Sequence, residues 1–307
     1  MLERLVVMDN YFANKKNINM LCGIVSQQPN KPVLTMLVGL PCAGKTRYAN
    51  KILDKDTVYV NGKDNTRFRQ IVKMHLKNGC NVIYDNDNLL SRKRRTFLGE
   101  LEDVDCYKKC VVIATPYEQC IENGAGYISE DVIDNAYRRW NTPYYFEGFD
   151  EIEIVYNQIS KYSFNDKWYD FPNSHIDYDQ HNPHHNMTLG NHCISAGKYL
   201  RDNDEDICLV LAGYSHDIGK VHTQCFDGES AHYRRHENVG AYEMLFLDIV
   251  DWLESLYISL LVNLHMYPHW WSSNPNTHKL HEKYKKIWTE DVYNDVMKLH
   301  EADRKAK

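Results

Sequence analysis

The sequence predicts an α/β domain built on a parallel sheet, followed by an all-α domain. Three observations lead there. Gly39-Leu40-Pro41-Cys42-Ala43-Gly44-Lys45-Thr46 reads G-x-x-x-x-G-K-[ST] and lies between the apolar run Val33 to Val38 and a helical pattern from Lys45. Short apolar runs alternate with helical patterns as far as Ala114, which calls for crossover helices between parallel strands. Past Trp168 the alternation stops, the pattern becomes helical, and the histidines concentrate.

Composition bounds the function classes. The chain of 307 residues is long enough for two domains, and its 43% hydrophobic and 25% charged residues are those of a globular protein. The formal net charge of −6 argues against a protein that coats long duplexes. Nucleic acid would instead be gripped locally, at an end. The nine cysteines are odd in number and scattered, with no C-x-x-C, which points to a reducing compartment rather than a disulfide framework. No signal-peptide pattern and no apolar run of membrane-spanning length is read, so a cytoplasmic location away from membranes is expected.

Residues 1–31 are weakly patterned. Met1 to Met8 suits a short strand or helix, and Ser26 to Pro32 is polar and proline-punctuated, as a linker would be. The first domain is expected over 32–158. Its elements are a strand over Val33–Val38, a helix from Lys45 to about Leu53, a strand over Thr57–Val60 and a helix over Thr66–Lys77 closed by Asn78-Gly79. A strand over Cys80–Tyr84, a helix over Ser91–Leu101 and a strand over Lys109–Ala114 follow.

The loop chemistry follows from residue types. Gly39 and Gly44 let the backbone curl so that N–H groups converge on phosphate, aided by the helix N-terminus. Lys45 can reach the β- and γ-phosphates of a nucleoside triphosphate, and Thr46 a magnesium ion. Ligands of a parallel sheet collect at strand C-termini, where Asp64 and Asp85 also fall. Asp64 can take a proton from a substrate hydroxyl and Arg67 can hold a phosphate; an ordinary helix cap is the competing reading. Asp85, in Asp85-Asn86-Asp87-Asn88, can position magnesium or acceptor, or can belong to a simple Asx turn. Arg92-Lys93-Arg94-Arg95 is the densest basic run, either a guide for a polyanion or a solvated helix face.

Those residues together resemble the phage-type polynucleotide 5′-kinase and its P-loop kinase relatives. The matching motifs are the loop, Lys63-Asp64-Asn65-Thr66-Arg67 and Asp85-Asn86-Asp87-Asn88-Leu89 with Arg94-Arg95. Pro116 to Cys120 and Phe146 to Ile152 are similar too, so the resemblance spans about 33–155. It implies Asp64 as general base on a 5′-hydroxyl, Arg67 as contact to the acceptor phosphate, and Lys45 and Thr46 serving ATP or another NTP with its Mg2+. The family carries lid arginines after this cysteine region, whereas Cys120 to Gly126 has none. Arg138 and Arg139 are the candidates to replace them.

The second domain is expected over 159–307. One helix opens at Leu189-Gly190-Asn191-His192. Another, over Ile207–Tyr214, leads into Ser215-His216-Asp217-Ile218-Gly219-Lys220. An adjacent His and Asp can give one ion a nitrogen and an oxygen. This half resembles the HD-superfamily metal-dependent phosphohydrolases over about 175–307. The resemblance implies His192, His216, Asp217 and Asp303 as metal ligands. His236 and His265 stand where di-metal members add ligands, and Lys220 is the lysine that steadies phosphate. His236-Glu237-Asn238-Val239-Gly240-Ala241 is also similar to the HD region of CCA-adding tRNA enzymes. One or two ions are implied, a divalent transition metal (Mn2+, Ni2+, Co2+, Fe2+ or Zn2+) or Mg2+. His181, His184, His185, His222 and His232 are polar-loop histidines with a phosphate contact as their only suggested role.

The two halves suggest opposite phosphoryl reactions on one substrate: a 5′-kinase and a 3′-phosphatase or 2′,3′-cyclic phosphodiesterase that heal RNA or DNA ends for a separate nucleic-acid ligase. The alternatives are a nucleoside kinase joined to a nucleotide phosphohydrolase, and a non-catalytic nucleotide-sensing module.

Overall fold

The computed structural model describes residues 30–62, 66–157, 171–182, 186–247, 250–272 and 278–306. The expectations for Met1 to Met8, for most of the Ser26 to Pro32 linker and for the boundary beyond Asn157 lie outside them, as do Asp64, His184 and His185. The described residues fall into two compact units, 30–157 and 171–306.

The first unit is a five-stranded parallel sheet. Its elements are β1 (Val33–Val38), α1 (Lys45–Ile52), β2 (Thr57–Asn61), α2 (Thr66–Lys77), β3 (Asn81–Asp85) and α3 (Ser91–Gly99). They continue as β4 (Tyr107–Ala114), α4 (Tyr117–Gly124), α5 (Glu130–Tyr137) and β5 (Glu151–Tyr156). The strand order is β2-β3-β1-β4-β5, with every pairing parallel. The middle strand β1 and its neighbour β4 read as near-continuous apolar runs because both faces of a parallel sheet are covered. Leu34, Met36, Leu37 and Val38 of β1 and Cys110 to Val112 of β4 are fully buried. Each large apolar side chain so buried contributes roughly 1.5–3 kcal/mol. α2 turns Val72 and Leu76, one helical turn apart, to the sheet. It ends at Gly79, whose φ of 83° is left-handed. The fifth strand, β5, was not foreseen from the sequence. It pairs with β4 from Lys109↔Glu151 to Ala114↔Tyr156.

One charged residue belongs to the fold. Arg94 is 1% exposed, and its guanidinium donates to both carboxylate oxygens of Glu147 at 2.7 Å and to the carbonyls of Asn88, Leu89 and Asn141. This corrects the polyanion-guide expectation for that member of the basic run. A buried guanidinium needs all of those partners.

The second unit is helical except for one hairpin. It comprises α6 (Phe171–Ser174), α7 (Leu189–Asp202), α8 (Ile207–Ser215), α9 (Lys220–Thr223), β6 (Cys225–Asp227), β7 (Ser230–His232) and α10 (His236–Glu243). α11 (Trp252–Leu264), α12 (Tyr267–Ser272), α13 (His278–Ile287) and α14 (Glu290–Lys305) complete it. α11 is buried on all sides from Glu254 to Leu264, as expected of a central helix apolar all round. An Asp251–Glu254 capping box starts it. α7 and α8 approach closely, with Gly213 lying over Gly197 and the Tyr214 ring occupying the space a Gly197 side chain would need. The β6–β7 hairpin departs from the all-helical expectation. Its cause is turn chemistry: Gly228, at φ 63°, takes the first central position of a two-residue loop after Asp227. Among the described residues no helix is long and apolar enough to cross a membrane.

Candidate phosphate loop and metal centre

The loop leaves the C-terminal end of β1 and closes on α1. Gly44 is the residue before α1 with φ 96°, and Cys42 also has positive φ, at 62°. A Cβ on Gly39 would lie 2.8 Å from the Ile113 carbonyl oxygen of β4, so glycine alone fits. The Ala43 carbonyl is fixed from outside by Thr115 Oγ1 at 2.7 Å and Asn157 Nδ2 at 2.9 Å, and Asn123 Nδ2 holds the Cys42 carbonyl at 3.1 Å. Arg47 pairs with Asn157.

Lys45 folds back over the loop. Its Nζ donates to the carbonyls of Gly39 at 2.9 Å and Leu40 at 2.8 Å, and lies 3.5 Å from Asp87 Oδ1. Thr46 Oγ1 donates to Asp85 Oδ2 at 2.7 Å. The hydroxyl and carboxylate are therefore brought together from α1 and the end of β3, and Asp85 is 3% exposed. Tyr59, which sequence reasoning missed, donates its hydroxyl to the same Oδ2 at 2.6 Å, and Asn61 supports Tyr59 at 2.8 Å. Strand alternation was the available signal, since Tyr59 and Asn61 share one face at the C-terminal end of β2. Hard oxygen donors of this kind suit Mg2+. Arg67 is exposed in the first turn of α2. Arg138 is engaged by Asp134 one turn earlier at 2.7 Å.

In the helical unit, segments far apart in sequence converge. His192 comes from the first turn of α7, His216 follows the last residue of α8, Asp217 is next in the chain, and Asp303 lies in α14. His192 Nε2 is 3.1 Å from His216 Nε2, 3.1 Å from Asp303 Oδ1 and 3.4 Å from Asp217 Oδ2. A second group meets the other oxygen of Asp217. His236 Nε2 is 3.1 Å and His265 Nε2 3.8 Å from Oδ1, and the two ring nitrogens are 3.2 Å apart. Asp217 thus spans two ligand groups, one oxygen to each. All six sequence-derived metal residues lie in this one cluster, and all are largely buried.

The histidines are oriented by backbone. His216 Nδ1 pairs with the Gly213 carbonyl at 2.9 Å, His236 Nδ1 with Tyr233 at 2.8 Å and His265 Nδ1 with Val262 at 2.7 Å, each three residues earlier. His192 Nδ1 pairs with the Ala306 carbonyl at 2.8 Å. A ring that donates Nδ1–H to a carbonyl turns its Nε2 lone pair inward, as a metal-ligating histidine does. His216 and His265 are the residues that follow α8 and α11, so their acceptors are terminal helix carbonyls.

Electrostatics agree with a charged centre. Burial would lower the His216 pKa, but the Asp217 and Asp303 carboxylates hold it up at about 9. Burial, with His236 and His216 nearby, pushes His265 well below its usual value. Burial would raise Asp217, yet Lys220 and His216 keep it well below the carboxylate range. Lys220 is 3% exposed. Its Nζ sits 2.7 Å from Asp217 Oδ2 and 2.8 Å from Gln180 Oε1, so it enters the cluster through Asp217. Four imidazoles facing inward with two carboxylates fit a borderline divalent metal such as Mn2+, Fe2+, Co2+, Ni2+ or Zn2+.

Close backbone approach fixes the spacing of the two groups. A Cβ on Gly219 would overlap the His236 carbonyl and lie 2.7 Å from Gly240 N. The chain after Asp217 therefore rests directly on the start of α10. Of the loop histidines, His181 lies beside Asp179, its Nδ1 3.5 Å from the carboxylate.

Comparisons with known proteins add little to this geometry. No family model and no curated protein matches the sequence. Among solved structures, one described as a fungal RNA kinase aligns over 48% of this chain at 14% identity with a TM-score of 0.35. The alignment covers 44% of that chain, so less than half of the fungal protein's length is matched. At that level the likeness decides neither fold nor activity.

Proposed function

We propose that this chain heals nucleic-acid ends with two activities, an NTP-dependent 5′-hydroxyl polynucleotide kinase in the sheet unit and a metal-dependent 3′-phosphatase or 2′,3′-cyclic phosphodiesterase in the helical unit. The observation that carries the reading is the coexistence in one chain of the loop with its Thr46–Asp85 pair and the carboxylate-spanned histidine cluster. One adds phosphate and the other removes it. Together they make the 5′-phosphate and 3′-hydroxyl that a separate ligase joins.

In the kinase, Asp64 accepts the proton of the 5′-hydroxyl and Arg67 holds the neighbouring acceptor phosphate. Lys45 exchanges its Gly39 and Leu40 carbonyls for the β- and γ-phosphates of ATP or another NTP. Thr46 and Asp85 would hold Mg2+, which neutralises charge on the transferring group. In the helical unit, His192, His216 and Asp303 would hold one divalent ion and His236 and His265 a second, with Asp217 shared. Bound there, such ions lower the pKa of water and offset charge on the phosphoryl oxygens. Lys220 holds the Asp217 carboxylate in place and supplies positive charge next to the phosphate.

The test is a panel of RNA and DNA oligonucleotides with 5′-hydroxyl, 3′-phosphate and 2′,3′-cyclic ends. Labelled ATP should transfer phosphate to a 5′-hydroxyl, and Asp64→Ala should abolish the transfer. Manganese should support phosphate loss from the 3′ ends, and His216→Ala with Asp217→Ala should stop it. Turnover of free nucleosides with no turnover of oligonucleotides would replace this reading by the small-molecule one. A second reading, nucleotide binding without transfer, draws on the arginine-free run Cys120 to Gly126 and on the Arg138–Asp134 pair. ATP binding with no label on any acceptor would favour it.

A further inference from the structure

Asp303 closes the first ligand group with Oδ1, but it has a second oxygen. Oδ2 lies 2.7 Å from His269 Nε2 in α12. The His269 ring meets the His300 ring edge to face, with centroids 4.4 Å apart. His300 and Asp303, three residues apart, share a face of α14. One ligand atom from each of His269, His300 and Asp303 lies within 4.8 Å of the others. This is the arrangement seen around Asp217, where one carboxylate serves a different pair of histidines through each oxygen.

We propose that His269, His300 and Asp303 Oδ2 hold a third divalent ion, linked to the first ligand group through the Asp303 carboxylate. The inference rests on the reading of the His192–His216–Asp217–Asp303 cluster as a metal centre. Two imidazoles and a carboxylate suit Mn2+, Fe2+, Co2+ or Zn2+. Three protein donors leave coordination positions open for water or a phosphate oxygen. The side chain of His269 is 33% exposed, whereas His192, His216, His236 and His265 are each at most 7% exposed. The third position is thus the one nearest solvent.

The competing explanation is a His269–Asp303 hydrogen bond that merely orients a ligand. Counting ions separates the two. The full chain without nucleotide is stripped of metal and equilibrated against Mn2+ alone by dialysis, and bound metal is measured per chain. The wild type should bind three ions, and His269→Gln with His300→Gln should bind two, with circular dichroism confirming that the variant is folded. Three ions retained in the variant, or two in the wild type with none lost on substitution, would overturn the third position and leave the two-group centre standing. No bound ion in the wild type would overturn the underlying metal reading as well. A measurement that needs no variant is the anomalous difference map of Mn2+-loaded crystals. A peak beside His269 and His300 is expected, and peaks confined to the Asp217 groups would refute the proposal.

Discussion

The two units use helix termini with opposite sign. In the sheet unit, α1 begins at the loop, so its first-turn N–H groups lie at the candidate phosphate site. In the helical unit, α8 and α11 end just before His216 and His265, so their terminal carbonyls lie at a cluster suited to cations. A helix carries roughly half a positive charge at its N-terminus and half a negative charge at its C-terminus. On the proposed reading, the candidate phosphate loop uses the first directly, through backbone N–H groups. The candidate metal cluster uses the second through an intermediary: Gly213 and Val262 carbonyls pair with imidazole Nδ1, and the ring presents Nε2 to the cluster. Backbone can cradle phosphate unaided, whereas a transition metal needs imidazole nitrogen, so one site is contiguous and the other is assembled from distant segments.

The comparison predicts separable losses. The largest is at Asp217, the one side chain that spans both ligand groups. Asp217→Asn should lower phosphate release from a 3′-phosphate oligonucleotide on the order of a thousandfold, with label transfer to 5′-hydroxyl ends unchanged. Lys45→Ala should do the reverse, cutting label transfer about a hundredfold or more and sparing phosphate release. Parallel loss of both activities in either variant would break the division of labour. A stability test comes next. Glu147→Gln leaves the Arg94 guanidinium buried beside a neutral amide, and denaturant titration should show a loss of about 3 kcal/mol confined to the sheet unit's transition. The smallest effect is at Tyr59. Tyr59→Phe removes a hydrogen bond to the Asp85 carboxylate, worth about 1.5 kcal/mol, and should weaken Mg2+-nucleotide binding roughly tenfold by calorimetry. An unchanged affinity would place Asp85 outside the magnesium site.

Legibility followed sequence distance. The turn between β1 and α1 was readable because eight consecutive residues carry its geometry, and α2 matched its expected bounds because its apolar spacing and Asn78-Gly79 stop are local. The His216–Asp217 doublet gave the metal cluster an anchor to which His192, His236, His265 and Asp303 could be attached by resemblance. His269 and His300 had no such anchor. Their spacing of 31 residues follows no motif, and His269 is embedded in the aromatic run Tyr267-Pro268-His269-Trp270-Trp271. Arg94 was misread for a related reason. A basic run looks solvated until a carboxylate 53 residues away is seen to neutralise one member. The hairpin is different: Asp227-Gly228 is a local turn signal that the all-helical reading of this half did not use.

The contact of Gly219 with the start of α10 bears on metal choice. The ligand groups on either side of Asp217 are separated by a distance that backbone sets, with no flexible side chain between Gly219 and Gly240 to take up slack. If two ions bind as proposed, ions of different radius would have to adapt to one pitch, and the pair would be selected by how well each tolerates it. A single added methyl at Gly219 would press on the His236 backbone and on Gly240, shifting one proposed ligand relative to Asp217 and turning a packing position into a dial for metal preference.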